Sequence, residues 1–288
     1  MNSKKEAPTL VALGLAGGQG KTTTILILGR MFARLGIPVL LVDSDPQASL
    51  SRFIGVSVGD QPSTLEILTK PANEIPLKTA IRKTTEENLF IIPASRELES
   101  ANSTMAASGL SLTKMRDRIY ELDEDVSEER RVTKNFGLIL IDPPPQKSHL
   151  ALTALGCSNL LVIPAEANLK GVDSLDGTLK MIIEYKRSVP HTELIGVMPF
   201  RAKWTGFNPT NTARDAIAKM GAVLGRKELM LPHLLESDIY PRAINSQQLP
   251  SDLGKPDLEY PFSVLIERIR PHLEDKYSRL LNVREVAA

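Results

Sequence analysis

Six short runs of consecutive apolar residues punctuate the chain: LVALGL (10–15), PVLLVD (38–43), LFIIP (89–93), LILID (138–142), LLVIP (160–164) and LIGVMP (194–199). Their apolarity is continuous instead of alternating. That pattern predicts strands covered on both faces, as in a mostly parallel sheet with helices on either side. The intervening spacing predicts helices over 21–35, 171–187, 210–224 and 261–281. Gly36 is placed to close the first of these from a C′ position, and Pro271 to break or kink the last. The βαβ rhythm runs from end to end, so a single doubly wound α/β domain over residues 1–288 is expected. Two stretches interrupt it. ELDEDVSEER (121–130) reads as an exposed helix end or mobile loop. QQLPSDLGKPDLEYP (247–261) reads as a surface connection.

Composition changes this picture little. The 288 residues are 42% hydrophobic and 24% charged, ordinary for a globular protein, and no segment approaches a membrane span. The opening MNSKKEAPTL has no apolar run of signal-peptide length, so a cytoplasmic protein is expected. The single cysteine, Cys157, excludes an internal disulfide and a multi-cysteine metal site within one chain, and reads as a small buried hydrophobe. With a formal net charge of +1, nucleic-acid binding has to come from a local patch.

Candidate chemistry begins at LGLAGGQGKTTT (13–24), where the first strand opens into the first helix. That context makes a glycine-rich string a P-loop. Gly17, Gly18 and Gly20 let the backbone bring its N–H groups against phosphate oxygens, with Gln19 and Thr23 in the same loop and helix start. Lys21 is placed to reach the β- and γ-phosphates of ATP, and the Thr22 hydroxyl to coordinate Mg²⁺. Leu15 stands where the usual motif has its first glycine, which points to a subclass. Downstream, LLVDSDPQ ends a strand with Asp43 and Asp45, and LILIDPPP ends another with Asp142. Carboxylates at the carboxyl edge of a parallel sheet face the ligand crevice. Asp43 and Asp45, one residue apart, would share a face if extended, and Asp142 stands where Mg²⁺ is held through its water shell.

With those segments in place the chain resembles the ParA/MinD ATPases, the deviant-Walker group of P-loop proteins. AGGQGKTTT matches their KGGxGKTTT loop, VDSDPQ their DxDPQ box and ILIDPPP their IIDTPP strand. LLVIPAEANLKGVDSL and LIGVMPFRAKW follow in the expected order, so the likeness covers nearly the whole chain. It implies an ATP-sandwich homodimer that binds nonspecific DNA, and a partner protein that triggers slow hydrolysis. By the same likeness Asp45 would position the attacking water, Asp43 and Asp142 would support Mg²⁺ and the P-loop, and Arg201 and Pro232 would lie near adenine. No helix-turn-helix stretch precedes the P-loop, as in the short ParA type.

Ala16 departs from the family, where a lysine at this place reaches the other subunit's phosphates. Lys170, in EANLKGVDSL, is the leading substitute, and Lys147 the second. Loss of that lysine also marks the branch that distributes carboxysomes along the nucleoid, the McdA type, which directs the reading there, with a ParB/McdB-like adaptor and a nucleoid-associated location. Arg201, Lys203, Arg214, Lys219, Arg226 and Lys227 could form a stripe for DNA phosphates, whereas Trp204 and Phe207 give no stacking pattern. The tail YSRLLNVREVAA has a narrow apolar face and a basic face interrupted by Glu285, so membrane targeting is disfavoured. The alternatives are a plasmid or chromosome partition ParA, a small-molecule ATP-dependent synthetase on the same scaffold, and a pseudo-ATPase that binds nucleotide without hydrolysing it.

Overall fold

A computed structural model of the chain describes residues 6–109, 111–122, 131–206 and 208–284. Most of the acidic stretch (123–130), Phe207 and Glu285 lie outside the described residues. The elements run, in order, β1 (Thr9–Ala12), α1 (Lys21–Arg34), β2 (Val39–Asp43), α2 (Ser49–Ile54), α3 (Thr64–Thr69), β3 (Arg82–Lys83), β4 (Leu89–Ile92), α4 (Ser100–Ser108) and α5 (Lys114–Ile119). The second half adds β5 (Leu138–Asp142), α6 (His149–Cys157), β6 (Leu160–Glu166), α7 (Leu169–Tyr185), β7 (Glu193–Phe200), β8 (Trp204–Thr205) and β9 (Asn208–Pro209). Helices α8 (Asn211–Leu224), α9 (Ile239–Asn245), α10 (Tyr260–Ile269) and α11 (Asp275–Arg284) complete it.

Seven strands form one sheet in the order β3-β4-β2-β5-β1-β6-β7, parallel except for the short edge strand β3. Continuous apolarity now has its cause. Leu10, Ala12, Val39, Leu41, Leu138 and Leu140 face a core shared with α1 and α10. Val11, Leu13, Leu40, Val42, Ile139 and Ile141 face the opposite core. Every residue of β1, β2 and β5 is buried, so each alternate position has its own apolar layer. The segment after α8 extends the sheet beyond β7 through Leu231 N–H to Val197 O and Leu234 N–H to Pro199 O, both at 2.8 Å.

Helix α1 ends as the sequence predicts: Gly36 takes φ +82°, its N–H reaches Ala33 O, and Ile37 N–H reaches Phe32 O. Pro271 separates α10 from α11 with a short 3₁₀ turn. The 247–261 stretch is more ordered than a plain connection. It contains two 3₁₀ turns, and Asp252 receives a bidentate pair from Arg34 of α1 at 2.9 and 2.7 Å. Cys157 is buried, and burial pushes its thiol up to about 12, which removes it as a nucleophile. Among the described residues no helix is long and apolar enough to cross a membrane.

This topology builds the crevice. The chain passes from β1 to β2 leaving a gap that β5 later fills, and it then continues on the other side of β1 with β6 and β7. The carboxyl ends of β1, β2 and β5 therefore meet at a topological switch point. Asp43 and Asp142 are register partners across β2 and β5.

Candidate functional site

The loop between β1 and α1 is built by glycine geometry. Gly18 and Gly20 take φ of +79° and +96°, and α1 starts on Gly20 with no side chain capping it. Its first N–H groups are left for an anion, at the positive end of the helix dipole. Gly20 is doubly constrained, because a Cβ there would lie 2.6 Å from the buried Phe200 ring. Gly20→Ala is expected to cost roughly 2–4 kcal/mol through backbone strain and overpacking. A thermal melt and a nucleotide-binding titration would show both a lowered Tm and lost binding.

Lys21 is buried and donates from Nζ to Ala16 O at 3.3 Å. Thr22 Oγ1 donates to Asp142 Oδ2 at 2.7 Å, whereas the buried Asp142 Oδ1 has no partner. Burial, and after it the Asp43 carboxylate, push Asp142 up to about 8. Burial likewise pulls the Lys21 ammonium below its usual range, opposed by Asp142 and Asp45. A buried carboxylate oxygen without a donor, next to a threonine hydroxyl, fits a hydrated divalent cation: Mg²⁺ is commonly held by one or two such groups plus phosphates. Among the described residues no cluster of three or more His, Cys, Asp or Glu side chains could hold a metal by itself.

Asp43 and Asp45 separate in role. The strand ends at Asp43, so the pair does not share an extended face. Asp43 accepts from Ser51 N–H (2.8 Å), Ser51 Oγ (2.7 Å) and Asp45 N–H (3.2 Å). Protein donors thus engage both its oxygens, and it braces the loop that carries Asp45. Asp45 is half-buried in a turn, one oxygen accepting from Gln47 N–H at 2.9 Å and the other making no hydrogen bond among the described residues. Gln19, expected in the cradle, is fully buried, and its Oε1 accepts from Glu166 N–H at 2.8 Å. Its side chain ties the loop to β6, and only its backbone remains for phosphate.

Lys170 reaches the loop. Its Nζ donates to Gly17 O at 3.2 Å from the first turn of α7. That turn is set against β6 by the Asn168 cap on Gly171 N–H (2.9 Å) and by Gly171, where a Cβ would stand 1.9 Å from Glu166 O. A cation in a helix's first turn opposes the dipole, so helix stability does not explain it. Lys147 is committed elsewhere, paired to Glu184 at 2.7 Å.

A cavity of about 480 Å³ adjoins the loop, lined by Thr23, Phe53, Phe200, Arg201, Asp238 and Tyr240 among others. Arg201, with φ +51° and its guanidinium 5.3 Å from the Phe200 ring centroid, belongs to this cavity, apart from the basic helix surface. Pro232 does not line it. The backbone pairing of 230–235 along β7 carries that proline into a separate groove with Trp204 and His233, so Arg201 and Pro232, both expected near adenine, line different cavities. Lys203, Arg214, Lys219, Arg226 and Lys227 are all exposed. Arg226 pairs with Glu228 at 3.0 Å and Lys203 stands 3.9 Å from Glu236, whereas Arg214, Lys219 and Lys227 make no ion pair among the described residues and outnumber the exposed Asp215 beside them. Sequence reasoning missed the Gln19–Glu166 tie, the Phe200–Gly20 contact and Ser51. The first two join residues far apart in sequence, and only the Phe200 contact was signalled by a glycine, Gly20.

A lysine and a threonine at a P-loop, with strand-end carboxylates around them, define a P-loop nucleotide site. A family model described as "AAA domain" matches residues 10–191. Maintenance of carboxysome distribution protein A of Synechococcus elongatus is 35% identical over 263 residues, 91% of this chain and 98% of that protein. Chromosome partitioning protein ParA of Caulobacter vibrioides is 29% identical over 247 residues, covering 85% of this chain and 84% of its own. The structure of an ATP complex of a Cyanothece McdA variant superposes with a TM-score of 0.83 at 33% identity, covering 92% and 97% of the two chains. The chain belongs to the ParA/Soj family of P-loop ATPases, with the carboxysome-distribution proteins among its relatives.

Proposed function

We propose that the chain is an ATP-dependent dimerising ATPase that binds nonspecific DNA in its ATP state and positions a cargo, a carboxysome, over the nucleoid, with a ParB/McdB-like adaptor stimulating hydrolysis. The observation that carries this reading is Lys170 at the P-loop of a chain with Ala16 in the signature position. The loop N–H groups and Lys21 hold the phosphates, Arg201 borders the base and ribose, and Asp45 orients the water that attacks the γ-phosphate. Thr22 and Asp142 would hold Mg²⁺, which would supply positive charge against the phosphates. Lys170 brings its ammonium to the other copy's phosphates across the dimer. Leu169 beside it is 63% exposed, apolar surface that a second copy would cover.

DNA is read by charge alone. Arg214, Lys219 and Lys227, doubled in the dimer, give six phosphate contacts, so binding is insensitive to sequence. Affinity is expected to fall about a thousandfold between roughly 50 and 200 mM salt, measured with ATP on unrelated duplexes. A flat salt response, or binding undiminished without ATP, overturns the reading. Carboxysome cargo is favoured over a plasmid or chromosome by the combination of Ala16 and Lys170.

A further inference from the structure

Beyond Tyr240, which walls the nucleotide cavity on one side, lies a separate groove of about 250 Å³. Trp204, Pro232, His233, Tyr260 and Pro261 line it, with Asp257 at its rim. The Trp204 and His233 rings stack at 5.6 Å between centroids and 23° between planes. Trp204 remains 40% exposed and Tyr260 61% exposed, so two large aromatic faces are presented to solvent. Burial holds the His233 imidazole below its usual pKa, so the stack is uncharged near neutral pH. Asp257 is exposed and makes no ion pair among the described residues. Among the described residues no lysine or arginine lines the groove, so nothing in it would receive a phosphate.

We propose that this groove binds an extended, proline-containing segment of a partner protein that carries a basic residue. The inference goes beyond the ATPase reading and does not depend on it. A polyproline II segment is already extended and loses little entropy on binding, and its rings pack flat against Trp and Tyr faces. Tryptophan and tyrosine give large contact areas with few rotatable bonds. The acidic rim at Asp257 selects a lysine or arginine beside the prolines and fixes the direction of the segment. Such a partner would rest against Tyr240, whose other face borders the nucleotide cavity and whose hydroxyl donates to Leu258 O at 2.8 Å.

Trp204 is the chain's one tryptophan, so its fluorescence reports the groove directly. The full chain is titrated with a synthetic peptide, acetyl-Pro-Pro-Leu-Pro-Pro-Arg, and with two controls, one replacing each proline by alanine and one replacing arginine by glutamate. A saturable emission shift is expected with the first peptide, with affinity at least about tenfold weaker for either control and for Tyr260→Ala. Asp257→Asn is expected to bring the arginine and glutamate peptides to similar affinity. Both variants change exposed side chains, and an unchanged thermal melt confirms that they fold. An absent shift, an equal response to the alanine peptide, or an equal response to ATP or oligothymidylate overturns the proposal, the last by assigning the groove to bases.

Discussion

Lys170→Ala is expected to reduce partner-stimulated ATP hydrolysis by about a hundredfold, because one lost cationic contact to developing phosphate charge is worth roughly 3 kcal/mol. ATP-dependent dimerisation and DNA binding should fall with it. The same substitution should leave the melting temperature almost unchanged. Lys170 is exposed, its side chain's one hydrogen bond among the described residues is to the Gly17 carbonyl, and its charge opposes the dipole of α7. A residue with no stabilising role and a large effect on turnover is the signature of a functional cation. Paired melting and phosphate-release measurements separate the two effects, and a structural lysine would move both.

Asp142→Asn, unlike Lys170→Ala, should change stability as well as turnover. Asp142 and Asp43 lie side by side across β2 and β5, and burial raises them to about 8 and about 6. Between about pH 4 and 8 the unfolded chain has released protons that the folded chain retains, so the ligand-free protein loses stability as pH rises. Removing the charge at Asp142 should therefore stabilise the ligand-free protein at pH 8 by about 2 kcal/mol, several degrees in Tm, with the gain disappearing toward about pH 4. Hydrolysis should nevertheless fall by at least about a hundredfold, since the carboxylate proposed to hold Mg²⁺ with Thr22 is lost. Melting curves across pH without nucleotide check the first effect. A variant less stable than the parent at pH 8 would contradict the crowding of carboxylates.

The central strands were legible because both their faces are buried: the runs 38–43, 89–93 and 138–142 coincide with β2, β4 and β5 to within a residue. The P-loop was legible for a different reason. Its glycines, Lys21 and Thr22 are consecutive, so local geometry alone determines their convergence. What was hidden depends on tertiary contacts and on turns that hydrophobic periodicity does not encode. Gln19 turns away from the cradle because Glu166, 147 residues later, offers its N–H. Asp43 is engaged by Ser51 because the chain turns at Asp45 instead of staying extended. Pro232 separates from Arg201 because 230–235 pairs along β7, a register that no local pattern announces. Short helices such as α2 and α9 were unread, being too brief for a period of 3.6 to emerge. Lys170 was singled out by the family likeness, since a lone lysine at a helix start carries no pattern of its own.

Relocation of the signature charge from position 16 to Lys170 is tested most directly by moving it back. ATP-dependent dimerisation is measured by sedimentation for the parent, for Lys170→Ala, and for Lys170→Ala combined with Ala16→Lys. Loss in the single variant and recovery in the double variant is the predicted result. Full dimerisation of Lys170→Ala alone, or a double variant no better than the single, would contradict it.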